Sequence, residues 1–81
     1  MTRFHAKDEV AIMPRGSTAA TEVIRIERVA YVGRAFIRTS DHHLFAVSDG
    51  SEVDLHSHRI IVPATAQHRV AWLEKTRKQQ P

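Results

Sequence analysis

The stretch Glu22-Val23-Ile24-Arg25-Ile26-Glu27-Arg28-Val29-Ala30-Tyr31-Val32-Gly33 decides the fold class of this chain. Ile24 and Ile26 alternate with Val23, Arg25 and Glu27, the two-residue period of a strand whose faces differ. Apolar character continues through Val29-Ala30-Tyr31-Val32, and the strict period slips near Arg28-Val29. Such a slip inside one long strand predicts a bulge or a sharp bend. Gly33-Arg34 then reads as a tight turn into a further strand over residues 35–39.

The pattern extends in both directions. Upstream, Val10 and Ile12 alternate with Glu9, Ala11 and Met13, and Pro14 ends that run because it cannot donate to a ladder. Residues 15–20, with Gly16 and small side chains, predict a loop. Downstream, a break at Ser40-Asp41-His42-His43 precedes a strand over 44–47. Asp49-Gly50 supplies the strongest turn signal, since it tolerates the positive φ of a two-residue hairpin. Val53 and Leu55 alternate after it, and Ile60-Ile61-Val62 forms a last short strand closed by Pro63. The composition agrees: eight Val, six Ile and six Thr stand against three Leu, and β-branched side chains favour a pleated surface over a helix. Beyond Pro63, Thr65 is a suitable N-cap, and Ala66, Val70 and Leu73 recur at helical spacing as the expected buried stripe.

The 81 residues suffice for one small domain, which buries only ~60–65% of its extended-chain surface. We expect an arm over residues 1–7, a mainly β body over 8–63, a helix over 64–78 and a frayed tail over 79–81. Strand, loop, long bent strand, two tight hairpins and a short final strand resemble an SH3-like small β-barrel of the kind shared by SH3, KOW and Tudor modules. The residues that carry the resemblance are Glu9-Val10-Ala11-Ile12, the 15–20 loop, the bent strand 22–32, Gly33, Asp49-Gly50 and Ile60-Ile61-Val62-Pro63. It implies five or six short antiparallel strands with the helix appended. It brings no ligand, because the aromatic groove for proline-rich peptides, the multi-ring cage for methylated side chains and the KOW glycine pattern are all missing.

Several chemistries are excluded or disfavoured. With no cysteine there is neither a disulfide framework nor thiol chemistry, which suits a reducing compartment, and a cytoplasmic location is expected. The longest apolar run, Val29 to Val32, is far short of the ~20 residues of a membrane span. Nothing resembles a nucleophile elbow or a glycine-rich phosphate loop, so neither catalysis nor a cofactor is expected, nor an enclosed small-molecule substrate site. Asp54, His56 and His58 would share one face of an extended strand, a geometry that suits Zn²⁺. Spacing supplies no fourth ligand, and no metal site is assigned.

The formal charge of +3 conceals opposed blocks. Residues 1–40 carry +3, residues 41–58 carry −4 with four of the six histidines, and residues 59–81 carry +4. Near the ordinary histidine pKa of ~6.5 the middle block gains positive charge, so acid is expected to strengthen binding to polyanions. Arg34, Phe36 and Arg38 fall on one side of a strand, where two guanidiniums beside a ring can hold phosphates and stack a base. The competing reading puts Phe36 in the core with the arginines reaching around it. Arg25, Arg28 and the helical Arg69, Lys75, Arg77 and Lys78 are further candidate phosphate contacts. Trp72 sits about 100° around the helix from Leu73 and either widens the buried face or anchors a partner. Two functions fit: a basic module contacting DNA or RNA through phosphates, or a protein-interaction adaptor or inhibitor, including a homodimer.

Overall fold

The computed structural model describes residues 4–54 and 56–79, with only the backbone of Lys78 and Gln79. Five antiparallel strands form one sheet: β1 (Glu9–Pro14), β2 (Arg25–Val32), β3 (Phe36–Thr39), β4 (Leu44–Ala46) and β5 (Arg59–Pro63), in the order β4-β3-β2-β1-β5. A 3₁₀ turn, Ala20–Glu22, lies in the β1–β2 connection, and the helix α1 (Ala66–Gln79) follows β5. The mainly β reading with a C-terminal helix therefore holds. The sheet is not closed by a regular ladder. β4 and β5 are linked through residues 50–53, with isolated bridges of Phe45 to Glu52 and Ser51 to Ile60 and hydrogen bonds from Val53 N to Leu44 O and from Glu52 N to Arg59 O.

β1 occupies the middle of the molecule and is buried on both faces. Val10 and Ile12 point into one cluster with Phe4, Val29, Ile37, Phe45 and Ile61. Ala11 and Met13 point the other way, into a second cluster with Val23 and Ala71, flanked by Ile26, Ile60, Val62 and Trp72. The alternation read from the sequence is real, but it separates two cores rather than core from water. Residues of all five strands and Phe4 make the first core, and α1 covers the second. Phe4 is buried, which ties the N-terminal stretch to the body.

The slip in β2 is a bulge. Val29 pairs with Thr39 and Tyr31 with Arg38, which leaves Ala30 as the extra residue. The insertion lets Val29 and Val32 both face the first core while Tyr31 turns outward. The loop after β4 differs from the expected two-residue hairpin. Gly50 N donates to Ala46 O at 2.8 Å and Ala46 N to Ser51 O at 2.8 Å, which closes four residues, with Gly50 at φ +78°. Asp49 organises it by accepting hydrogen bonds from both the amide and the hydroxyl of Ser51, and this holds the Asp49 carboxyl below its ordinary range.

Two further expectations are corrected. No strand forms around Val53: Asp54 accepts the His56 amide at 2.9 Å, Ser57 N donates to Asp54 O at 3.0 Å, and the segment is a turn, with Leu55 outside the described residues. The helix starts where expected, with Thr65 Oγ1 accepting the His68 amide at 3.3 Å, but it buries a different face. Ala71 is buried and Trp72 half-buried, whereas Ala66, Val70 and Leu73 are exposed. The small Ala71 lets the backbone approach the sheet closely, and Lys75 Nζ fastens the helix by donating to Val23 O at 2.6 Å.

Candidate ligand-binding face

The outer side of the sheet is only half covered. α1 packs over Ile26, Ile60 and Val62, and the part formed by the end of β2 with β3 and β4 stays open. Register sets its layout. Tyr31 lies opposite Arg38, Arg38 opposite Leu44, and Phe36 opposite Ala46. In β3, Ile37 and Thr39 are buried while Phe36 and Arg38 face water, so the core reading of Phe36 is overturned. Ile37 takes the inner place because it fits between Val32 and Phe45, its neighbours on the adjoining strands. Tyr31 is 58% exposed and Phe36 48%, large values for rings on a sheet.

Between these side chains is a shallow depression of about 360 Å³, lined by Tyr31, Gly33, Arg34, Phe36, Arg38 and Leu44. Its shape depends on Gly33, whose amide donates to Phe36 O at 2.8 Å. A Cβ on Gly33 would lie 3.1 Å from Tyr31 Cε1 and 3.2 Å from Phe36 O, so the tyrosine ring rests directly against the turn. Tyr31 and Leu44 were not candidates from sequence. The period slip was the signal for Tyr31, because an extra residue in a strand reverses the side to which all later side chains point.

The basic side chains divide into two groups. Arg25 Nε lies 3.0 Å from Glu27 and its Nη1 lies 3.4 Å from Asp41. Arg59 grips Glu52 through Nε at 2.9 Å and Nη2 at 3.0 Å, and Ser57 also donates to that carboxylate, which is 5% exposed. Arg69 Nε meets Glu9 at 2.9 Å, and Arg28 Nη1 donates to Lys7 O at 3.0 Å. With Lys75 bound to the Val23 carbonyl, Arg25, Arg28, Arg69 and Lys75 already serve the fold. Among the described residues Arg34 and Arg38 have no carboxylate within ion-pair distance, nor does Arg77; the Lys78 side chain lies outside the described residues.

The acidic block is likewise largely engaged. Burial raises the Asp41 carboxyl, but hydrogen bonds from Thr39 and His43 and the charge of Arg25 outweigh it, leaving the group below its ordinary range. Of the four histidines in this block, His43 is tied to Asp41 at 2.8 Å, and His42, His56 and His58 are exposed or in turns. Among the described residues no three His, Cys, Asp or Glu side chains converge to hold a metal. Trp72 packs beside Ala71 and Ile26 at the second core and is half-buried, not a projecting anchor. Among the described residues, no helix is long and apolar enough to cross a membrane. No family model, no curated protein and no solved structure matches this chain.

Proposed function

We propose that this chain is a small, basic, non-enzymatic module of SH3-like type that binds single-stranded DNA or RNA on the open face of β2, β3 and β4. The observation that carries the reading is the contrast among its arginines. Among the described residues Arg34 and Arg38 stand without carboxylate partners beside two exposed rings, while Arg25, Arg59 and Arg69 are all paired. A sheet bearing exposed aromatics flanked by guanidiniums stacks unpaired bases and contacts the adjoining phosphates. The near-meeting of β4 and β5 through residues 51 and 52 supports the SH3-like reading of the sheet. The lack of cysteine suits a cytoplasmic setting.

Fluorescence anisotropy with labelled single-stranded oligonucleotides, of DNA and of RNA, tests this. Phe36→Ala should weaken binding by about 1–3 kcal/mol, the usual worth of one stacked base. Arg34→Ala and Arg38→Ala should each flatten the log-affinity against log-salt slope by about 0.7. Absence of binding at low salt, or equal binding by the Phe36 and Arg38 variants, would reject the reading and leave a protein partner as the alternative.

A further inference from the structure

α1 places its larger aliphatic side chains outward. Val70 is 56% exposed and Leu73 61%, while Ala71, Trp72 and Lys75, with the Arg69–Glu9 ion pair, hold the helix to the body. Val70 borders a shallow groove with Ala19, Ala20 and Thr21, and Leu73 borders one with Trp72 and Ile26, but each residue stays more than half exposed. Ala66, Val70, Leu73 and Arg77 recur at i, i+4, i+7 and i+11, which is a single narrow stripe. In heptad terms Val70 takes an a position and Leu73 the following d, a β-branched and leucine combination that favours two parallel strands. Arg69 and Glu74 flank the stripe on opposite sides, at g and the next e.

We propose that two copies of this chain associate by pairing α1 with α1 in parallel through Val70 and Leu73. Charge selects both the occupant and the direction. In a parallel pair each g residue meets the e residue five positions on in the other helix, so symmetry brings Arg69 to Glu74 of the second copy twice. An antiparallel pair would set Glu74 beside Gln67 and Arg69 beside Thr76, with no charge matched. Arg69 uses only Nε on Glu9, so its terminal nitrogens remain for the second carboxylate, and among the described residues Glu74 has no ion pair within its own chain. Arg77, at the next seam position, brings like charges together and ends the stripe. The seam is shorter than the roughly three heptads of an autonomous coiled coil, so the dimer is weak and the folded bodies hold the helices in place. It shares no residue with the open face of β2, β3 and β4, so the dimer stands or falls independently of nucleic-acid binding.

Introduced cysteines test the pairing cleanly because the chain has none. Under mild oxidation Val70→Cys should form a disulfide dimer, since a positions face each other in a parallel pair. Ala30→Cys, exposed on the sheet, should remain monomeric. Sedimentation equilibrium up to about 1 mM should show a monomer–dimer equilibrium. Leu73→Glu should abolish it, and Glu74→Arg should weaken it about 2- to 10-fold at low salt, with unchanged thermal unfolding at low concentration. A purely monomeric chain, Val70→Cys cross-linking no better than Ala30→Cys, or preferred cross-linking of Val70→Cys to Leu73→Cys would each overturn the proposal.

Discussion

Arg59 on β5 and Arg38 on β3 are the same residue type on strands of one sheet, and their surroundings give them opposite uses. Arg59 meets a carboxylate that is almost wholly withdrawn from water, with two aligned hydrogen bonds and Ser57 completing the site. It stands where residues 51 and 52 bridge β4 to β5, the least regular junction of the sheet. Arg38 stands on β3 opposite the bulge of β2, between Tyr31 and Leu44 on the adjoining strands, beside rings rather than carboxylates. The contrast shows that an arginine serves the fold where tertiary packing sets a carboxylate beside it and, among the described residues, stays unpaired where its neighbours are rings.

That comparison can be broken in graded steps. The junction around Arg59 also depends on Gly50, where an added Cβ would sit 2.7 Å from Ile61 O at a positive φ. Gly50→Ala should therefore cost about 3 kcal/mol, visible as a lowered urea midpoint, because the obstacle is backbone. Next, Arg59→Ala should cost about 2 kcal/mol by leaving the Glu52 charge unpaired, less than for a fully buried pair because Arg59 retains partial solvent access. If Arg59→Ala and Arg38→Ala were equally destabilising, the division between structural and available arginines would be wrong.

A smaller effect comes from Asp41, which links Arg25 to Thr39 and His43. Its folded carboxyl lies below its ordinary 3.8, so the unfolded chain takes up a proton first as pH falls. The stabilisation is thus complete above the unfolded carboxylate range and is lost as pH drops through the folded value. Urea titrations between about pH 6 and about pH 3 should show a shallower acid limb for Asp41→Asn than for the parent chain. The smallest effect belongs to the open face. Arg38→Ala and Phe36→Ala should each change stability by less than about 0.5 kcal/mol, while oligonucleotide binding falls. A large stability loss at Phe36 would return that ring to the core and remove the basis for the ligand face.

Much of the architecture was legible along the chain because its causes are local. The period-two runs, Pro14, Pro63, Thr65 and the β-branched bias all act within a few residues. Even the bulge left a trace, as the slip near Arg28-Val29. The buried face of the helix was not legible, because hydrophobicity alone points to Val70 and Leu73. Tertiary packing instead chose the close approach allowed by Ala71, with Trp72 and Lys75 reaching the sheet, and left the two larger aliphatic side chains outside.

The candidate site was half legible for a similar reason. Alternation put Arg34, Phe36 and Arg38 on one side of a strand, but either Phe36 or Ile37 could have been the inner residue. Pairing of Ile37 with Val32 and Phe45 decided that, and it is a contact between residues of three strands. The +3 charge, the block segregation and the lack of cysteine belong to the sequence by itself. Which cations are available belongs to the tertiary structure alone. Glu9 and Arg69 are 60 positions apart and Lys75 reaches Val23 across 52, so no local pattern could pair them. Charge is a property of each residue, whereas an ion pair exists only where folding brings two of them within a few ångströms.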